Sequence, residues 1–244
     1  MTGVLSPVTI KRRDGVLTVT LARPDKHNAL STQLVEELFR EVQRAYDEPT
    51  HLVVFRGDGP SFSAGFDLSG LDEATDAGLL HRFVRVEQLL AMVHHAPFAT
   101  VALAHGRVFG AGADLLCACT HRIAAPGARF RLPGMAFGLV LGTGRLARRV
   151  GVDTARAIQA GGRTIDAEPA HRIGLITEIR DTDEWDGLVA DLAGGEAVLP
   201  APARAVLQTA LHPDHRDTDL ATLVRSAAAP GLADRIRRYT ARRS

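Results

Sequence analysis

The 244-residue sequence is poor in aromatics, at 5%, and has one tryptophan and two cysteines. Cys117 and Cys119 stand two apart in an apolar, helix-like run. On a helix they point about 200° apart, so they can share neither a disulfide nor a metal there. Small core residues in a reducing, cytoplasmic compartment are the expectation. No apolar run reaches about 18 residues, so no transmembrane helix is expected. The segment from Met1 to Leu5 runs on towards Lys11-Arg12-Arg13 without the apolar stretch of a signal peptide. A formal net charge of +1 supplies no global field for nucleic acid or a membrane surface. Several motifs are missing too. Gly110-Ala111-Gly112 lacks the third glycine of a dinucleotide-binding turn, and no P-loop is present. Ser61 and Ser63 lie in no GxSxG elbow. The ten histidines, His94, His95, His105 and His121 among them, show no metal-ligand spacing with carboxylates.

The rest is ordinary globular material, 45% hydrophobic and 23% charged. Val16 to Leu21 alternates apolar residues with threonine, as a half-buried strand does. Ser31 reads as an N-cap, followed by a helical stripe through Leu34, Leu38, Val42 and Tyr46. His51 to Phe55 reads as a strand, 78–95 as a helix ended by Pro97, and Thr100 to Ala104 as a buried strand. Gly110 to Ala113 opens a helix; Arg122 to Ala125 is a strand. Helices near 143–149 and 153–160 precede a strand over Leu175 to Ile179. Strands alternating with helices predict an α/β fold over residues 1–184. Residues 185–244, cut by Pro200, Pro202, Pro213 and Pro230, read as a helical appendage. Arg235, Arg237, Arg238, Arg242 and Arg243 near its end form either a solvated basic face or a phosphate contact.

One design occurs twice. The strand Leu52-Val53-Val54-Phe55 leads through a glycine turn to Ser63-Ala64-Gly65-Phe66-Asp67-Leu68. The strand Val101-Ala102-Leu103-Ala104 leads through another to Phe109-Gly110-Ala111-Gly112-Ala113-Asp114-Leu115. Small residues leave backbone N–H groups unobstructed and let a ligand approach. Two such turns facing each other would aim two N–H groups at one oxygen, as stabilisation of an enolate or oxyanion requires. The second pair of amides also sits at a helix N-terminus, where the dipole favours negative charge. Asp114 follows Ala111 by three residues and shares its helix face. It is either a general acid/base beside that oxygen or a plain dipole partner. Asp67 is either part of the site or a cap.

Three segments carry a family resemblance: Arg23-Pro24-Asp25-Lys26-His27-Asn28-Ala29-Leu30-Ser31, Phe62 to Leu68, and His105 to Leu115 continued by Cys119-Thr120-His121-Arg122-Ile123-Ala124. In order and spacing they resemble the enoyl-CoA hydratase/isomerase (crotonase) superfamily over roughly residues 8–180. The resemblance implies a spiral of repeated ββα units with a C-terminal helical region that packs in trimers or dimers of trimers. It implies an acyl-CoA thioester as substrate, with coenzyme A part of that substrate and no separate cofactor. The thioester carbonyl would accept N–H bonds from Phe66 and Ala111. Lys26, His27 and Ala29 would flank the adenine and pantetheine. Ala64, Gly65, Asp67, Leu68, Phe109, Gly110, Pro133 and Gly134 would line the groove.

Two departures stand out. Hydratases of this family handle water with two glutamates. The first falls here on Asp114, a shorter carboxylate, and the second on Gly134, which has no side chain. The loop from Met135 to Leu146 is about three residues shorter than in typical hydratases. Asp114 is therefore the sole candidate acid/base, and a non-catalytic acyl-CoA binder is the alternative. The tail after Trp185 looks too short to close the groove within one chain, so a neighbour's tail is expected to contribute.

Overall fold

The computed structural model describes residues 6–242. In chain order the main elements are β1 (Val8–Arg13), β2 (Val16–Leu21), α1 (Thr32–Asp47), β3 (Leu52–Gly57), α2 (Asp76–His94), β4 (Ala99–Ala104), β5 (Arg107–Phe109) and α3 (Ala111–Ala118). They continue as β6 (His121–Ala124), β7 (Arg129–Arg131), α4 (Thr143–Val150), α5 (Val152–Gly161), β8 (Ile165–Asp166), α6 (Ala167–Arg172) and β9 (Glu178–Ile179). The tail holds α7 (Trp185–Ala197), α8 (Ala201–Leu211), α9 (Arg216–Ala227) and α10 (Leu232–Ala241).

A six-stranded sheet runs β1-β2-β3-β4-β6-β9. Within it β2, β3, β4, β6 and β9 are parallel and β1 is an antiparallel edge. A second sheet, β5-β7-β8, stands beside it. This is the α/β architecture expected. Strands β3 and β4 are buried on both faces because the sheet separates two cores. Val53, Phe55, Ala102 and Ala104 face the main core with α1, α2 and α3. Leu52, Val54, Val101 and Leu103 face a smaller cluster closed by Trp185 of α7. Parallel strands covered on both sides read as continuous apolar runs.

Local signals explain the helices. The Ser31 hydroxyl accepts from the Leu34 amide at 3.2 Å, a cap worth about 1 kcal/mol. Leu34, Val35, Leu38 and Val42 form the buried stripe behind it. Gly106, at φ +56°, turns the chain from the large sheet into the small one. A Cβ there would stand 2.0 Å from the Pro60 carbonyl oxygen, so no other residue fits.

Three expectations change. Strand β1 and the whole second sheet had no sequence signal. The strand foreseen over Leu175 to Ile179 contracts to Glu178–Ile179, because the Leu175 amide still bonds the Ala170 carbonyl in the turn after α6. The tail folds back on its own chain. Asp76 accepts from the Gly231 and Ala233 amides, both at 2.8 Å. Arg235 donates to the Phe137 and Gly138 carbonyls, and Arg237 to those of Leu71, Asp72 and Ala74. These two arginines clamp backbone, whereas Arg238 and Arg242 are exposed and Arg243 lies outside the described residues. Leu223, Ala227, Leu232 and Ile236 join the main core. Among the described residues no helix is long and apolar enough to cross a membrane.

Candidate active site

The two glycine turns meet. Gly65, at φ +92°, lies so near the second turn that a Cβ would stand 2.4 Å from the Phe109 carbonyl oxygen and 3.2 Å from the Ala111 nitrogen. Gly112 would collide in the same way with Ser63. The Ser63 amide donates to the Arg107 carbonyl at 3.1 Å, Phe109 returns a bond to Ser63 at 2.9 Å, and Gly110 donates to Arg131 at 2.7 Å.

The segment around Asn28 fixes the first turn from behind. His27 and Asn28 both hold left-handed backbone, at φ +48° and +54°, which Asn tolerates better than most residues. The fully buried Asn28 amide donates to the Asp58 and Ser61 carbonyls and accepts from the Arg23 amide. Its own carbonyl accepts from the Ser63 hydroxyl at 2.8 Å, which in turn accepts from the Gly65 amide at 3.1 Å. Along this turn the amides of Ser63, Ala64, Gly65 and Asp67 are all bonded. The Phe66 N–H has no such partner among the described residues. The Ala111 N–H opens α3 and has none either. Phe66 nitrogen is two covalent bonds from Gly65 Cα, so both donors flank one gap.

That gap opens into a cavity of about 150 Å³. Ala64, Phe66, Leu68, Phe109, Gly110, Ala111, Asp114, Pro133 and Gly134 line it. Phe83, Arg131, Leu132, Phe137, Leu139, Leu141, Gln159 and, from α10, Ile236 and Tyr239 complete the wall. The tail reaches its own chain's cavity: the turn at Gly231, anchored on Asp76, brings α10 onto its wall.

Lys26, His27, Ala29, Gly65 and Asp67 do not line the cavity. Lys26 is exposed on the 3-10 turn Pro24–Lys26, and His27 Nδ1 sits 3.1 Å from the Ser61 hydroxyl. Gly65 stands behind the wall as a spacer between turns. Asp67 is turned away: it pairs with Arg23 at 2.8 Å and accepts from the Ser69 amide at 2.9 Å. Burial alone would raise its carboxyl, but these bonds hold it below the ordinary range. Of the two roles open to Asp67, the structural one is present.

Asp114 is 4% exposed, and its Oδ1 has no partner among the described residues. Burial pushes its carboxyl well above the ordinary carboxylate range; Arg145 opposes the shift and Glu87 adds to it. Gly142, at φ +64°, caps the facing helix α4, and a Cβ there would lie 2.3 Å from that Oδ1. Gly134 begins a short 3-10 turn, and a Cβ there would meet the Leu139 carbonyl oxygen at 2.8 Å. Asp114 is the only carboxylate among the residues lining the cavity. Among the described residues no three His, Cys, Asp or Glu side chains are grouped to hold a metal. Cys117 and Cys119 are buried free thiols, pushed by burial up to about 12.

Known proteins resemble this chain in sequence and in fold. The family model described as enoyl-CoA hydratase/isomerase matches residues 11–219. The chain is 34% identical, over 76% of its length and 77% of the relative's, to a Mycobacterium bovis protein provisionally named enoyl-CoA hydratase echA6. It is 32% identical to the 2,3-dehydroadipyl-CoA hydratase of Escherichia coli, covering 73% of this chain and 71% of that one. A crystal structure from Bordetella parapertussis, of a protein provisionally named enoyl-CoA hydratase/isomerase, superposes with a TM-score of 0.95 at 47% identity, covering 96% of this chain and 98% of that one. With its two apposed glycine turns, its sheet and its sequence all in agreement, the chain belongs to the enoyl-CoA hydratase/isomerase (crotonase) family.

Proposed function

We propose that the protein binds an acyl-CoA thioester with its carbonyl oxygen between the Phe66 and Ala111 amides and stabilises the enolate formed there. Asp114 is then the single group that gives and takes the α-proton. The observation that carries this reading is the pair of unpartnered N–H groups beside a buried, unpartnered carboxyl. Preorganised donors favour the charge that develops on the oxygen, each typically contributing about 3 kcal/mol. A carboxyl held protonated is a proton donor at neutral pH and, once ionised, a stronger base than an exposed aspartate. Among the described residues no second carboxylate lines the cavity, so proton transfer at the α-carbon proceeds and concerted water addition is slow.

The cavity volume of about 150 Å³ fits a short acyl or aryl group. A void of that size holds a benzene-sized molecule, or about six carbons. The exposed side chains of Val206, Leu207 and Leu211 on α8 supply an apolar surface for a homotrimer or dimer of trimers. Light scattering reads that assembly directly, and a monomeric mass at micromolar concentration would remove it.

The decisive experiment is α-proton exchange. Butyryl-CoA incubated with the protein in D₂O, at a pH high enough to ionise Asp114, is expected to gain deuterium at the α-carbon, read by mass spectrometry, faster than crotonyl-CoA is hydrated. A second reading, an acyl-CoA binder without turnover, is favoured by the missing side chain at Gly134. Tight binding across a panel of CoA esters with no exchange would establish it.

A further inference from the structure

Behind Asp114 lies a buried charge cluster that the reaction does not touch. Arg145 of α4, one turn after the Gly142 cap, is wholly buried. It pairs with Glu87 of α2 at 2.5 Å and with Asp219 of α9 at 3.3 Å. Arg148, half-exposed on the same helix, shares Asp219 at 3.0 Å. Asp114 is not ion-paired to Arg145, although it lies within that guanidinium's field. Cys117 stands one turn along Asp114's own helix, and Arg131 and Tyr239 line the same cavity. Arg145 is thus the cation that would serve Asp114 as counter-ion, and two carboxylates already occupy it.

The cluster is also incompletely bonded. Glu87 Oε1, Arg145 Nε and Asp114 Oδ1 are all buried without a partner among the described residues. Buried charges left this way weaken a fold, and a well-packed apolar replacement is often neutral or better. Packing alone gives no reason for three helices to converge on one guanidinium.

We propose that Glu87, Arg145, Arg148 and Asp219 form a charge-compensated cluster that denies Asp114 a counter-ion and so keeps it a neutral acid, which makes Glu87 a positioning residue for proton transfer. This rests on Asp114 being the acid. The two carboxylates together offset Arg145 and Arg148, so the net field at Asp114 is small and desolvation dominates. Removing one negative charge releases part of the Arg145 field, favouring the Asp114 carboxylate.

The test reads Asp114 itself. In protein labelled with ¹³C at aspartate side chains, the Asp114 signal is identified by its loss in Asp114→Asn. In the natural protein it is expected to stay protonated through pH 7. In Glu87→Gln its midpoint is expected to fall by at least about one unit, a tenfold change in proton affinity. In Glu87→Asp, which keeps the charge, it is expected to stay near the natural value. Asp219→Asn, at a more accessible position, moves it the same way by less. The pH profile of α-proton exchange follows the titration. Ionisation of Asp114 near pH 4 in the natural protein, or an unmoved midpoint in folded Glu87→Gln or Asp219→Asn, would overturn the proposal. A moved midpoint with an unmoved exchange profile would instead remove Asp114 as the acid.

Discussion

The two walls of the cavity are made differently. The wall formed by residues 63–67 and 109–114 is backbone pressed on backbone. Its glycines adopt left-handed φ or leave no room for a Cβ, and most of its amides are bonded. The opposite wall, from Arg131 to Leu141 with α5 and α10, is made of side chains: Leu132, Phe137, Leu139, Ile236 and Tyr239. A wall of backbone bonds has few sequences that build it, so it stays legible. A wall of side chains can change its chemistry without losing its shape, and here it carries glycine at the position where the family resemblance implies an acid in hydratases.

Asp114→Asn probes the first wall hardest. Proton transfer is lost, so α-exchange is expected to fall by about 10²–10⁴-fold while CoA-ester affinity stays within a few-fold. Stability moves the other way. A carboxyl whose folded affinity for protons is raised adds stability below its unfolded value, near pH 4, and loses it as pH rises through the folded value. Asn has no such loss. Urea midpoints are therefore expected to favour the variant at pH 7 and to converge below about pH 4. A variant less stable at neutral pH would mean that Asp114 is ionised and paired.

Ala111→Pro comes next. Residue 111 is the first of α3, where proline keeps helical φ and removes only the N–H. Losing one donor typically costs about 3–4 kcal/mol in the transition state, so exchange is expected to drop a hundredfold or more in a folded protein. Unchanged exchange would take Ala111 out of the chemistry and leave the first wall merely structural.

Gly134→Glu crosses to the second wall. Lineage with the hydratases suggests that restoring a carboxylate would restore water addition. The geometry argues against it, since a Cβ at residue 134 meets a backbone carbonyl rather than the end of a flexible side chain. The variant is expected to lose about 1–3 kcal/mol of stability from overpacking and to hydrate crotonyl-CoA no faster than the natural protein. A tenfold gain would show that the loop from Met135 to Leu146 yields easily and that the two walls differ less than their construction implies.

What could be read from the sequence follows the same division. The Ser31 cap, the α1 stripe, the buried strands and the paired glycine turns announce themselves through local pattern, whereas only the family resemblance picks out Phe66 and Ala111 as donors. Strand β1, Val8 to Arg13, escaped because Lys11-Arg12-Arg13 hides its alternation, and three-residue strands such as β5 and β7 are too short to show a period. Arg145 escaped for a different reason. On an amphipathic helix beside Arg148 and Arg149 it looks like solvent-facing charge, and only tertiary packing buries it between α2 and α9. The return of α10 depends on Asp76 capping a turn 155 residues away, which no local pattern records.

Gln159 gives the finest cut between the walls, because it is a polar group in the side-chain wall with one end unpaired. Its amide nitrogen makes a single long contact, 3.4 Å, to the Thr143 hydroxyl, and its buried oxygen has no partner among the described residues. Exchanging the two ends of the amide changes nothing, since the hydroxyl can donate or accept and the other end is still unmet. A buried polar group without a partner typically costs about 1–3 kcal/mol. Gln159→Leu keeps the volume and removes that cost, so the free protein is expected to gain about 1 kcal/mol by urea denaturation. Binding is expected to show the opposite sign for ligands that satisfy the amide. Affinity for 3-hydroxybutyryl-CoA, whose hydroxyl can serve either end, falls several-fold, while that for butyryl-CoA is unchanged. If the variant gains stability and both esters bind as before, Gln159 faces away from the reacting carbons and the second wall is apolar throughout. If it loses stability, the amide already has a partner in solution and the wall is better satisfied than its hydrogen bonds indicate.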